Sequence, residues 1–274
     1  MVELSYFPGC SLHATAREYD ASTRAVCAEL GIGLTELDDW NCCGSTSAHS
    51  VDAEAARALP LRNLRIAEEA GKAVMSPCAA CYGRLKAGQA EDAASDSIDV
   101  CHILDVLDTQ ESTGLLRGKV TNPLTDLKAV SYYGCLTTRP PDRTGATDYE
   151  NPESMDRLLG LAGATALPWS FKTDCCGAGL TLTRSDIVTR LVDRLMRMAC
   201  EAGADCIVVA CSMCHANLDM RQAEAARDHG GEYSLPIFYI SELLGLAMGC
   251  ADARWWRRHL TDPTQLLRAK GLAA

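Results

Sequence analysis

The sequence predicts an α/β protein made of two pseudosymmetric cysteine-rich halves, each a small, mainly parallel sheet with surrounding helices. Three observations carry this. The cysteines recur in one order: Cys10, Cys42, Cys43, Cys78 and Cys81 are followed by Cys135, Cys175, Cys176, Cys211 and Cys214. Short apolar runs of β-forming residues lead into these cysteines, and segments with helical spacing separate them. At 274 residues, 47% hydrophobic with 5% aromatic, the chain can bury a sizeable core, and its Ala, Leu, Glu and Arg favour helices around short strands.

The match between halves extends beyond the cysteines. In both, 34 residues separate the adjacent pair from the following CxxC, while the gap before the pair is 31 residues in one half and 39 in the other. FPGC (7–10) faces YYGC (132–135), NCCGS (41–45) faces DCCGA (174–178), and SPCAACYGRL (76–85) faces VACSMCHANL (209–218). A duplication with one insertion explains this pattern. The halves are expected at 1–120 and 121–274, with the boundary in a segment from about 108 to 127 that Gly114, Gly118 and Pro123 break up. The extra residues, Arg139-Pro140-Pro141-Asp142-Arg143-Thr144-Gly145 and on towards Asn151-Pro152, read as a surface loop. That loop is either a tolerated insertion or a lid beside Cys135.

Taken in order, Leu4-Ser5-Tyr6-Phe7 reads as a buried strand ending at Gly9-Cys10. Ala21, Arg24, Ala25 and Ala28 then continue a helical pattern that stops at Gly31. Ala73-Val74-Met75 is a strand entering Cys78, and His102-Ile103-Leu104-Asp105 parallels Tyr239-Ile240-Ser241-Glu242. The second half opens with the strand Ala129-Val130-Ser131-Tyr132-Tyr133. Ser185 is the expected cap of a helix whose Ile187, Leu191, Leu195 and Met198 share one face and which ends at Gly203. Ile207-Val208-Val209-Ala210 then runs as a strand into Cys211. Each group of cysteines therefore sits where a strand turns into a helix. There, open α/β sheets collect ligands, and the free amides of helix N-termini stabilise thiolates.

Composition narrows the chemistry. The net charge is −10 with no basic block, which excludes a nucleic-acid partner. No apolar run reaches the roughly 18 residues of a membrane span, and Met1-Val2-Glu3-Leu4 does not begin a signal peptide. A cytoplasmic chain is expected. Fifteen cysteines in a reducing compartment point to metal ligation or redox chemistry rather than structural disulfides. Adjacent cysteines are badly placed to pair with each other. A structural zinc uses four ligands, leaving a fifth thiolate without a place, and the compact CxxCxxCxxxCP run of ferredoxins is absent. Five thiolates including an adjacent pair suit an unusual iron–sulfur cluster; a zinc-stabilised interaction module is a further reading. Cys27, Cys101, Cys200, Cys206 and Cys250 break the repeat and read as structural. Gly44 and Gly177 are expected to supply unusual dihedrals or a close approach.

The repeated C…CCG…CxxC pattern resembles the cysteine-rich CCG domain. Two copies in a chain of this length resemble the B subunit of heterodisulfide reductase over nearly the whole sequence. The resemblance implies that Cys10, Cys42, Cys43, Cys78 and Cys81 hold one noncubane 4Fe-4S cluster. It implies that Cys135, Cys175, Cys176, Cys211 and Cys214 hold a second, and that a disulfide substrate is cleaved between the two. It also implies electron supply from a ferredoxin-like C subunit, itself served by a flavin-containing A subunit. The chain has no ferredoxin signature or convincing GxGxxG motif of its own. The expected activity is that of an oxidoreductase acting on sulfur groups; the alternative is an electron-transfer component without its own disulfide substrate. His215, beside Cys214, and His13, three residues after Cys10, are candidate catalytic proton donors, with packing or support of the ligands as the competing reading. Trp255-Trp256-Arg257-Arg258-His259 is a candidate docking patch, or else a terminal helix packed on its own domain.

Overall fold

Two four-stranded, all-parallel sheets organise the chain, seen in a computed structural model that describes residues 2–45, 47–91 and 98–272. The first contains β1 (Val2–Tyr6), β2 (Ile32–Glu36), β3 (Val74–Ser76) and β4 (Val100–His102) in the order β2-β1-β3-β4. The second contains β5 (Lys128–Tyr132), β6 (Thr165–Ala166), β7 (Cys206–Val209) and β8 (Ile237–Tyr239) in the order β6-β5-β7-β8. The strand order is the same in both, so the repeat in sequence is a repeat in topology. Tyr6 lies opposite Glu36 and Met75, and Val209 opposite Tyr132 and Tyr239. All four residues of β7 are buried, as expected of a parallel strand covered on both faces.

Several local expectations are corrected. The segment that Gly114 and Gly118 were expected to break holds the helix Gln110–Lys119. Thr109 caps it by accepting a bond from the Ser112 N–H, and a Cβ at either glycine would meet open space, so neither residue is needed for a turn. The helix expected to begin at a capping Ser185 runs Ser185–Glu201 with Arg184 at its cap and no side-chain cap bond. Its buried face is Val188, Val192, Leu195, Met196 and Ala199, rotated about one residue from the predicted stripe. Short β2 and β6 were not anticipated. At the other junctions the parallel is close: His102 and Tyr239 both sit at helix N-caps, where Asp105 and Glu242 accept the backbone N–H of the cap residue.

The halves share one continuous hydrophobic core. The helix Arg17–Glu29 packs on the helix Ile240–Met248, where Ser22 Oγ and Ser241 Oγ lie 2.7 Å apart. The rings of Tyr19 and Tyr239 stack at 3.9 Å with 5° between their planes. Trp255 and Trp256, for which the sequence left docking and packing on their own domain both open, are buried at 5% and 4% exposure. Trp256 packs edge-on against Phe238, so these rings serve the protein's own core. Among the described residues no helix is long and apolar enough to cross a membrane.

Candidate metal centre

Each half brings its five repeat cysteines to the carboxyl edge of its sheet. In the first, Cys10 follows β1, Cys42 and Cys43 follow β2, and Cys78 and Cys81 stand where β3 passes into the helix Ala79–Glu91. Cys43 Sγ is 3.2 Å from Cys81 Sγ, and Cys42 Sγ is 4.0 Å from Cys10 Sγ. The loop that carries the pair is pinned by fully buried Asn63, which accepts from Asn41 N–H and donates to Asn41 C=O, both at 2.9 Å. In the second half Cys135 follows β5, Cys175 and Cys176 follow β6, and Cys211 and Cys214 open the helix Ser212–His229. Other residues pin that loop: Asn217 donates to Cys176 C=O at 2.8 Å and Tyr132 Oη to Asp174 C=O at 2.6 Å. In both halves the glycine after the pair donates its N–H back to the first thiol, Gly44 to Cys42 at 3.4 Å and Gly177 to Cys175 at 3.3 Å. Both glycines have positive φ, 76° and 81°, and a Cβ would press on Leu59 and Ala48 or on Leu191 and Val188.

A second glycine pair shapes the site more directly. Gly9 and Gly134, just before the first cysteine of each half, have φ of 69° and 68°. A Cβ there would stand 2.7 Å from Cys81 Sγ and 2.6 Å from Cys214 Sγ, closer than any packing allows. The backbone at these points presses against the last thiol of its own group, which only glycine permits.

The thiols perturb one another strongly. Contact with the thiols of Cys42 and then Cys81, helped by the Ser45 N–H, brings Cys43 down to about 4. Contact with Cys135 brings Cys175 down to about 6. Hydrogen bonds from Cys214 and Cys78 hold Cys211 well below the usual thiol range, while its bond with Cys211 and its burial push Cys78 up to about 11. The Cys78–Cys211 contact crosses between halves, as does the bond from Ser212 Oγ to Cys78 Sγ at 3.3 Å. His102 completes this seam: its buried Nε2 lies 3.0 Å from both Pro77 C=O and Ala210 C=O.

The donor set fits a polynuclear cluster better than a lone ion. All ten thiols are free, and each half offers one or more that ionise readily, as metal ligation demands. Among the described residues, the only histidine, cysteine or acidic group whose ligand atoms all lie within 4.8 Å of one another is His215, Glu242 and His259. Each half nevertheless gathers five thiols, some in direct contact, one more than a tetrahedral ion uses. In that histidine–carboxylate trio Glu242 accepts from His259 Nε2 and His215 Nε2 donates to Ile237 C=O, both at 2.9 Å, while buried His259 Nδ1 has no hydrogen-bond partner.

A cleft of about 760 Å³ opens beside the second group, lined by Cys135, Cys175, Cys176, Cys211 and Cys214. Its facing wall is the first half's helix Ala79–Glu91, through Ala79, Ala80, Gly83 and Ala87. The 139–145 insertion supplies a third side and is tied to that helix by Tyr82 Oη donating to Thr144 C=O at 3.0 Å. The two histidines suggested as proton donors lie elsewhere. His215 is buried, stacked on Tyr239 at 4.2 Å, and held neutral by desolvation. His13 is exposed, with Nε2 2.9 Å from Glu36 Oε1 and its ring edge-on to Trp40. Neither lines the cleft. Asn63 and Ser212, which hold loop and seam in place, carry no sequence signal that would have singled them out, while His102 was marked only by its parallel with Tyr239.

Comparison with known proteins agrees with this geometry. A family model described as a cysteine-rich domain, CCG, matches residues 4–86 and again 129–219. The chain is 30% identical over 280 residues to the 8-methylmenaquinol:fumarate reductase membrane anchor subunit of Wolinella succinogenes, covering 96% of this chain and 99% of that one. It is 29% identical to the B subunit of the ferredoxin:CoB-CoM heterodisulfide reductase of Methanosarcina mazei, covering 91% and 90%. A protein of Archaeoglobus profundus, described as similar to the heterodisulfide reductase B subunit, is 26% identical over 91% of each chain. Among solved structures, a hypothetical protein from Helicobacter pylori superposes with a TM-score of 0.73 at 10% identity. It covers 95% of this chain, which spans 52% of that one, and the likeness is one of fold alone.

Proposed function

The chain belongs to the cysteine-rich CCG domain family, and on that premise we propose that it is an iron–sulfur redox subunit that reduces a disulfide, or runs the reverse reaction, in the cleft between its halves. The ten repeat cysteines, five to a half, would hold two 4Fe-4S clusters of noncubane type. When bound, they supply the electrons one at a time. Reduction of one disulfide to two thiols consumes two electrons and two protons, and one cluster in each half would match that electron count.

The chain's own residues define the rest. Gly9 and Gly134 let the backbone close against the last thiol of each group. Ala79, Ala80 and Ala87 of helix Ala79–Glu91 give the cleft an apolar stretch that limits water around a bound substrate. With His215 buried and bonded to a backbone carbonyl, protons reach the departing sulfurs through the cleft mouth. The naming of relatives as subunits of larger reductases supports partners, and by the family resemblance these are a ferredoxin-like component and, behind it, a flavin-containing one, in the cytoplasm. Division of the chain at 1–120 and 121–274 is part of the same proposal.

The observation that carries this reading is the cleft lined by all five thiols of one group and walled by the other half. The test is anaerobic purification with co-purifying partners, followed by oxidation of a reduced viologen dye with candidate disulfides. Disulfide-dependent dye oxidation supports it. The 30% identity to a fumarate reductase subunit favours a second reading, an electron relay without its own disulfide. Full iron loading with no response to any disulfide selects that one.

A further inference from the structure

The repeat is broken where the halves touch. The CxxC segments read Cys78-Ala79-Ala80-Cys81 and Cys211-Ser212-Met213-Cys214, so Ala79 in the first half matches Ser212 in the second. Ser212 Oγ reaches out of its own half to donate to Cys78 Sγ at 3.3 Å, and both residues are only 2% exposed. A serine at the start of a helix commonly caps it, yet the cap of the helix Ser212–His229 is Cys211, and no side-chain bond closes that end. Ala79 has no hydroxyl to return the bond. Cys211 is served instead by the thiols of Cys214 and Cys78 and by the backbone N–H groups of Cys214 and Met213. The seam does not depend on the serine hydroxyl: His102 Nε2 lies 3.0 Å from both Pro77 C=O and Ala210 C=O, and Tyr19 Oη donates to Pro77 C=O at 3.0 Å. These bonds hold together the residues just before Cys78 and Cys211, whatever stands at position 212.

Hydrogen bonds to the ligand sulfurs are among the levers that set the potential of an iron–sulfur centre. An added electron increases the negative charge on those sulfurs, so a donor bond strengthens on reduction and favours the reduced form. With both partners out of water, no solvent molecule takes the place of the hydroxyl, and the low local dielectric strengthens its bond. We infer that Ser212 is a positioning residue for the iron–sulfur centre of the first half, raising that centre's reduction potential through Cys78 from across the seam. This rests on the ten repeat cysteines holding two clusters. It gives two centres with matching ligand spacings separate controls on their potentials, a side chain of the opposite half at Cys78 and the chain's own backbone at Cys211. A difference of part of one hydrogen bond between the two redox states is worth about three- to tenfold in a one-electron equilibrium, roughly 30–60 mV.

The test is a potentiometric titration of the full chain, purified anaerobically and reduced stepwise with dithionite, followed by EPR and visible absorbance. Cys175→Ser, which takes a ligand from the second group, identifies the signal of the first centre. S212A lowers the midpoint of that centre by the three- to tenfold amount and leaves the other in place, while S212T, which keeps the hydroxyl, restores it. Iron content and melting temperature of S212A match those of the natural protein, because His102 and Tyr19 still hold the seam. Midpoints that S212A leaves unmoved, or moves equally in both centres, overturn the role of Ser212 while leaving the clusters intact. Loss of iron in S212A also overturns it, since a merely structural hydroxyl would behave that way. A chain that carries neither iron nor sulfide removes the cluster reading and the role of Ser212 with it. A shift confined to the first centre, in a protein that turns over no disulfide, upholds Ser212 and selects the electron relay.

Discussion

Two residues make the physical logic testable. Gly134 combines φ of 68° with a missing Cβ that would stand 2.6 Å from Cys214 Sγ. Ala at this position incurs left-handed strain of about 1–2 kcal/mol and pushes a ligand aside. G134A is therefore expected to fold with its second cluster lost, cutting iron to roughly half of a content set by two four-iron clusters, as read by iron and sulfide assay. The glycine was visible in the FPGC and YYGC repeat; its contact with a thiol far along the chain was not, because only folding brings them together. Glu18 tests a different link. Burial raises its carboxyl from 4.5 to about 7, Glu242 adds to the effect, and His259 and Arg258 oppose it; one of its oxygens has no hydrogen-bond partner. The folded form thus binds a proton more tightly than the unfolded form, so this residue's contribution is most favourable below about pH 4.5 and is lost as pH rises through about 7. E18Q should match the natural protein in melting temperature near pH 5 and exceed it at pH 8. A gap that shrinks with rising pH would refute this.

At the scale of elements, strands place the cysteines, but loops hold them. The strand-turn-helix position of these cysteines was legible because apolar runs end at Gly-Cys, Pro-Cys or, at Cys211, Ala-Cys, and helical spacing follows. Edge strands β2 and β6 were not: the first is only half-covered and the second spans two residues, so neither shows the buried pattern of a central strand. Asn63 was equally silent, since an asparagine within a helical stretch announces nothing until its amide meets a backbone. N63A leaves the Asn41 N–H and C=O without their partner, at a cost of about 1–3 kcal/mol. The expected outcome is a lower melting temperature together with faster release of iron from the first half under a chelator. Unchanged chelation kinetics would show that the loop holds itself.

For the whole molecule, duplication explains the order of both sheets, and the departures from duplication explain the cleft. The repeat itself could be read from spacing alone. The seam could not, because Tyr19 on Tyr239, Ser22 on Ser241 and Cys78 on Cys211 are contacts between segments far apart in sequence. Nor could the opposed fates of the two suggested histidines, one stacked in the core and one on the surface, since position next to a cysteine does not fix where a side chain points. The central claim is that five thiols in each half hold one iron–sulfur cluster. Its most direct test is quantification of iron, acid-labile sulfide and zinc in the anaerobically purified chain. About eight irons and eight sulfides per chain, from two four-iron clusters, with negligible zinc, is the predicted result. About one zinc per half without sulfide, the stoichiometry of a tetrahedral structural site, would contradict it.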